Sequence, residues 1–149
     1  MEPAHPSPTV ASVLTPRQRA FLDQPLFAAL ATTDDDGAPR QAVIWYRLEA
    51  DGRILLNSRI GRRWPSNLLR DGRVSLAVTD PASGYSWLGL SGRVDEVIDE
   101  HDAALAGILA LNDRYHPEGG DPEDLASFHA YPRITFLVAV DRVHDHLED

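Results

Sequence analysis

The sequence of 149 residues contains no cysteine. Disulfide staples, thiolate zinc sites and cysteine nucleophiles are therefore excluded. No apolar run approaches the length of a transmembrane helix. The first residues, Met1-Glu2-Pro3-Ala4-His5-Pro6, lack a basic n-region and an apolar h-region, so a cytoplasmic protein with no secretory signal is expected. Positive charge is scarce, with 14 Lys and Arg against 23 Asp and Glu and a formal net charge of -9. That balance argues against nucleic acid as a main partner, because phosphate neutralisation dominates such binding. Several signatures are also missing. The G-x-S-x-G motif of serine hydrolases is absent, although Ser91-Gly92 has a superficial likeness to it. Asp34-Asp35-Asp36 lacks the spacing and the distal Glu of an EF-hand. His144 and His146, at i and i+2, have no third ligand of assignable spacing, and no metal site is expected.

What positive charge there is falls unevenly. Arg59, Arg62, Arg63, Arg70 and Arg73 crowd into one window, and no acid stands between Arg59 and Arg70. This window follows a strand-like run, turns at Gly61 and opens a short helix with Pro65 near its first turn. The first N–H groups of a helix lack intrahelical partners, and its N-terminus is the positive end of the dipole. Guanidinium forks match phosphate oxygens. The loop reads either as the phosphate site of a flavin-like cofactor or as a solvated basic turn.

The length fits one domain with a real core. Residues 1–14, with three prolines, read as a flexible arm, and residues 15–149 as a single domain. Thr15-Pro16-Arg17-Gln18 has the form of a capping box with Pro at N1. Strands are expected at Leu26–Thr32, Gln41–Leu48, Arg53–Ser58, Arg73–Asp80, Tyr85–Val97 and Arg133–Val140, joined largely by hairpin turns such as Asp34–Gly37. Gly89 and Gly92 suggest a bend, a bulge or a close approach. Asp99 is placed as the cap of an amphipathic helix whose stripe includes Ala104, Leu105, Ile108, Leu109 and Leu111. A helical turn or two is expected over Pro122–His129, and the tail from His144 reads as polar and peripheral. The tally of about six strands with two or three short helices is a small antiparallel barrel, mainly β within the α+β class. Gln41–Leu48 and Arg133–Val140 are apolar on both faces, which calls for a cofactor, a second layer or a partner subunit, and favours a homodimer.

Taken together, Pro39-Arg40-Gln41-Ala42-Val43-Ile44-Trp45-Tyr46, Leu55-Leu56-Asn57-Ser58, Gly61-Arg62-Arg63, Asn67-Leu68 and Asp71-Gly72-Arg73-Val74-Ser75-Leu76 resemble the pyridoxamine 5'-phosphate oxidase-like superfamily. Within it the pattern is most similar to the deazaflavin (F420)-dependent oxidoreductases, and Tyr85 to Val94 fits that group's long strand. The resemblance implies a homodimeric split β-barrel of the FMN-binding type, with F420, or alternatively FMN, bound at the subunit interface. It implies that Gln41, Val43, Ile44 and Trp45 run along the cofactor ring. It further implies that Asn57, Ser58, Arg62 and Arg63 contact phosphate, and that Trp64 and Asn67 belong to the same site. Gln41 stands where the pyridoxamine phosphate oxidases carry an Arg, so vitamin B6 oxidation is not expected. Trp64 stands where many deazaflavin relatives carry a Lys. The implied activity is hydride transfer between the deazaflavin and a small organic substrate. It needs no catalytic side chain, because the cofactor performs it. Tyr46, Trp87 and Tyr115 are candidate substrate-wall aromatics, or else core or interface residues. A non-catalytic flavin- or tetrapyrrole-binding protein is the remaining alternative.

Overall fold

The computed structural model describes residues 13–149. The expected N-terminal arm therefore lies outside the described residues, except at its end. There Leu14 is buried in the core. The capping box forms as expected. Gln18 N donates to Thr15 Oγ1 at 3.1 Å, Thr15 N donates to Gln18 Oε1 at 2.9 Å, and helix α1 runs Pro16–Leu22. Strands β1 (Ala28–Thr33) and β2 (Pro39–Ile44) form a hairpin about Asp34–Gly37, where Gly37 takes φ +88. The Asp-Gly turn accordingly supplies the positive φ that residues with a side chain resist.

The second expected strand is two strands. After β2 the chain leaves the extended path at Trp45 and Tyr46, then forms the short β3 (Arg47–Leu48), which pairs with β4 (Ile54–Arg59). Helix α2 (Arg63–Arg70), β5 (Arg73–Thr79), β6 (Trp87–Ile98), α3 (His101–Tyr115), α4 (Pro122–Ala130) and β7 (Arg133–His146) complete the order. The seven strands make one antiparallel sheet in the order β2-β1-β5-β6-β7-β4-β3. Consecutive strands β2 and β3 thus occupy its two edges, and only Trp45 and Tyr46 separate them. The sheet must curl to bring its edges together, which gives the split β-barrel expected above.

Alternation along the strands fills the barrel. Leu30, Leu56, Leu76, Leu90, Phe136 and Val138 are buried inside it, and Trp64 and Leu68 of α2 pack onto the same cluster. At Gly92 the register shifts by a bulge, and a Cβ would collide with the carbonyl of Ala139. The two-sided apolar character of β7 has a local explanation. Its second face, with Leu137 beside Leu55 of β4, is covered by Ile108 and Leu111 of α3.

Two further boundaries differ from expectation. Glu100, not Asp99, caps α3, its carboxylate accepting from Asp102 N and Ala103 N at 3.2 and 2.8 Å. The tail is polar and largely exposed, as expected, but it is tied to the fold. Strand β7 continues to His146 along β6, His146 stacks on Trp87 at 4.2 Å, and Asp145 accepts from Gln18 Nε2 at 2.8 Å. Among the described residues no helix is long and apolar enough to cross a membrane.

One arginine holds the barrel's joint. Arg114 of α3 donates from Nε to Tyr46 O at 2.9 Å, and its Nη groups reach the carbonyls of Leu22, Asp23 and Gln24 at 2.7–3.0 Å. The Tyr46 hydroxyl, fully buried, donates to Leu22 O at 2.9 Å. Replacing Arg114 with Ala strips four carbonyls of a donor and should cost about 2–4 kcal/mol. Tyr46→Phe should cost about 1–2 kcal/mol. Urea unfolding monitored by tryptophan fluorescence would measure both, and an unchanged midpoint in R114A would show that the joint does not depend on this side chain.

Candidate functional site

The break after β2 turns the end of that strand towards the end of β4. Between them opens a cavity of about 540 Å³, within the usual range for small-molecule sites. Its walls divide by chemistry. Phe27, Val43, Ile44, Trp45, Ile108 and Leu111 make an apolar side; Asn57, Ser58, Arg59, Arg62 and Arg133 make a polar, cationic side. Val43 is 76% exposed and Phe27 60%, so both present apolar surface at the cavity.

The apolar side is built on a stack of rings. Tyr115 lies between Phe27, with centroids 5.7 Å apart, and Trp45, 5.0 Å apart, with interplanar angles of 11° and 10°. The Tyr115 hydroxyl donates to backbone carbonyls, Leu26 O among them, so the middle ring is fixed from its polar end. Of the three aromatics considered for a substrate wall, Tyr46 is core, Tyr115 is the middle of this stack, and Trp87 lies against His146 away from the cavity. Phe27, Trp45 and Phe128 take the place at the cavity instead.

On the cationic side, Arg59 and Arg133 face each other as register partners of β4 and β7, and Arg62 precedes α2 as its N-cap. Arg62 makes no side-chain cap, so the first amides of α2 are not satisfied by a side chain. Arg59 lies over the Tyr131 ring at 3.7 Å. None of Arg59, Arg62 and Arg133 forms an ion pair with a described residue. Burial, and then the charges of Arg62 and Arg59, push the Arg133 pKa down to about 10. Arg59 and Arg133 are partly buried and Arg62 is exposed, and cations with no ion-pair partner among the described residues fit an anionic ligand group.

Seven of the ten site residues expected from sequence line this cavity: Val43, Ile44, Trp45, Asn57, Ser58, Arg62 and Trp64. Trp64 is 9% exposed and packs at 5.9 Å on Phe136, so it is mainly a core residue with an edge on the cavity. Gln41 and Arg63 line an adjoining depression with Arg62 and Trp64. Asn67 is placed elsewhere. It is 2% exposed, and its Nδ2 donates to Asp34 Oδ1 at 2.8 Å and Thr32 Oγ1 at 3.1 Å. The buried Asp34 carboxylate also accepts from Arg40 at 3.0 Å and lies 3.6 Å from Arg63. Hydrogen bonds from Arg40 and then Asn67 hold its pKa down at about 2.

The helix expected over Pro122–His129 forms as α4. Sequence reasoning missed its place at the site, where Asp124, Ser127 and Phe128 form the cavity's outer wall, and it missed Arg133 and Phe27. No residue of α4 is buried, and the helix follows Gly119 and Gly120, both at positive φ. The signal for Arg133 was its pairing with Arg59, which exists only once β4 and β7 are aligned.

A single antiparallel sheet whose edge strands β2 and β3 are joined by two residues, with helices packed on it, is a split β-barrel. A sequence profile described as pyridoxamine 5'-phosphate oxidase matches residues 14–144, and the chain belongs to that family. Proteins of this fold bind flavins or deazaflavins. Among solved structures, an F420 reductase is similar at 25% identity and TM-score 0.73, over 85% of this chain and 94% of that one. A conserved hypothetical protein of Mycobacterium tuberculosis shares 24% identity at TM-score 0.68, over 90% of this chain and 86% of its own. A protein of unknown function from Agrobacterium tumefaciens shares 22% identity at TM-score 0.68, over 97% of this chain and 57% of its own. The last two establish likeness of fold alone. No curated protein sequence matches the chain.

The geometry separates two arginines that are adjacent in sequence. Arg62→Ala should weaken binding of a phosphate-bearing ligand by about tenfold, and Arg63→Ala by less, since Arg63 lies towards Asp34. Equal losses in isothermal titration would contradict this division. Asp34 carries a pH signature. Its folded pKa lies below its ordinary 3.8, so its stabilising contribution is present at neutral pH and lost as the pH falls from about 4 towards 2. Asp34→Asn should therefore be less stable than the parent at neutral pH and converge with it in strong acid. Parallel denaturation curves separated by a constant gap down to that range would contradict the assignment.

Proposed function

We propose that the chain is an F420-dependent oxidoreductase that transfers a hydride between the deazaflavin and a small organic substrate. The observation that carries this reading is the cavity itself. One side bears Arg59, Arg62 and Arg133 with no carboxylate in ion-pair range among the described residues. The other presents Phe27, Val43 and Trp45 to a planar apolar group. The likeness to an F420 reductase supports the deazaflavin over other flavins. Gln41, with no Arg in its place, speaks against pyridoxamine phosphate as substrate.

When bound, the deazaflavin supplies the hydride chemistry; the chain's residues bind, orient and exclude water. The arginines and Ser58 would hold the phosphate. The exposed edge of β2, with Val43, would run along the ring, and the Phe27–Tyr115–Trp45 stack would bound the space beside it. Val43 is open to solvent, which fits a homodimer in which a second protomer closes the site.

The test is a fluorescence titration of cofactor-free protein with F420 and, separately, with FMN. Tighter binding of F420, by about tenfold or more, is the expected result. A preference for FMN would assign the chain to the flavin-dependent branch of the family. Binding of F420 without turnover of any reducible substrate would favour a carrier, and binding of neither would overturn the reading.

A further inference from the structure

We infer that Arg133 grips the ligand's anionic group directly, and that Asn57 serves that group only by aiming Arg133. This rests on the reading that the cavity takes a phosphate-bearing cofactor, and it alters the role that family resemblance gives Asn57.

Every hydrogen-bonding group of the Asn57 side chain is committed inside the fold. Its Nδ2 donates to Ala104 O at 2.9 Å and to Thr135 Oγ1 at 2.8 Å, and its Oδ1 accepts from Arg133 Nε at 3.1 Å. The residue is 8% exposed. Gly107 makes the arrangement possible, because a Cβ there would collide with Thr135 Oγ1 and crowd Asn57 Nδ2. With no side chain at that position, α3 comes close enough for Ala104 O to accept. A direct bond from Asn57 to a phosphate would require breaking one of these contacts and leaving a buried carbonyl or hydroxyl without its donor, which is costly.

Arg133 is arranged in the opposite sense. Asn57 fixes its Nε edge, and the Phe128 ring lies 5.3 Å from Cζ. No hydrogen bond or ion pair joins its Nη groups to a described residue, and the side chain lines the cavity beside Arg59 and Arg62. The partner that orients Arg133 is a neutral amide. A carboxylate in the same place would aim the guanidinium equally well but neutralise it, as happens to Arg40 on Asp34 at the other network. An amide orients the fork and leaves its charge for an incoming anion. Asp124 lines the same cavity from α4 without pairing to any of the three arginines.

The test compares the parent with Arg133→Gln and Arg133→Lys. Binding of FMN and F420 is titrated against riboflavin, which lacks the phosphate, and inorganic phosphate is tested as a thermal stabiliser. In R133Q, affinity for FMN and F420 should fall about tenfold or more while affinity for riboflavin stays the same. Protection by inorganic phosphate should be lost. R133K keeps the charge without the fork, should fall between the two, and carries the test if R133Q does not fold. In the R133Q background, Asn57→Ser should cost no further affinity for the phosphate-bearing ligands; additive losses would mean that Asn57 touches the phosphate itself. Equal effects of R133Q on FMN and riboflavin, or phosphate protection retained in R133Q, overturn the inference. If the parent binds no flavin or deazaflavin, the proposed function fails, and the phosphate arm still decides whether Arg133 grips an anion.

Discussion

The joint at Trp45 and Tyr46 is the constraint on which the rest of the structure depends. Two residues connect the two edges of a seven-stranded sheet, so the sheet has no choice but to curl. A buried corner of this kind would normally strand backbone polar groups. Here Tyr115 and Arg114 meet those of Tyr46, and the Tyr46 hydroxyl in turn meets the end of α1. The cavity is a consequence of the same corner. Residues Val43 to Trp45 come from one side of the joint and Asn57 to Arg59 from the strand that pairs just beyond it.

Two polar networks in the molecule run on opposite electrostatic logic. Around Asp34, a buried carboxylate is matched by Arg40, Asn67 and Arg63, and the charges are settled within the fold. Around Arg133, the neighbours are an amide, an aromatic ring and two more arginines, and the charge is left standing. The first arrangement ties the β1–β2 hairpin to α2. The second is complete only with a counter-charge from outside, which is why the two clusters, built from similar residues, have different uses.

The legible parts of the fold were those governed by local chemistry. The capping box at Thr15, the Asp-Gly turn at Gly37, the alternation of Val74, Leu76 and Val78, and the demand for space at Gly92 could all be read from neighbouring residues. What escaped was set by distant partners. Gln41–Leu48 reads as one strand that is apolar on both faces, and nothing local marks the break that the tertiary bonds of Tyr46 hold in place. Strand β7 runs past its apolar portion because β6 is there to pair with it. Glu100 replaces Asp99 as cap because β6 holds the extended path through Ile98. At the site, the arginine loop was visible as a run of charge, whereas Arg133 became visible only opposite Arg59. Asn67 had the residue type of a ligand contact but the position of an anchor, a distinction that needs the face of α2 on which it lies.

Helix α4 gives the site an uneven stability. It walls the cavity yet buries none of its residues, and it hangs from a pair of glycines at positive φ. Segments with so little buried surface open locally at a small fraction of the free energy of global unfolding. The barrel and its joint can therefore remain intact while the outer wall swings or melts. A local opening of α4 would widen access to the cavity and withdraw the Phe128 ring from Arg133, while the bonds of Asn57 to Ala104 and Thr135 stay formed.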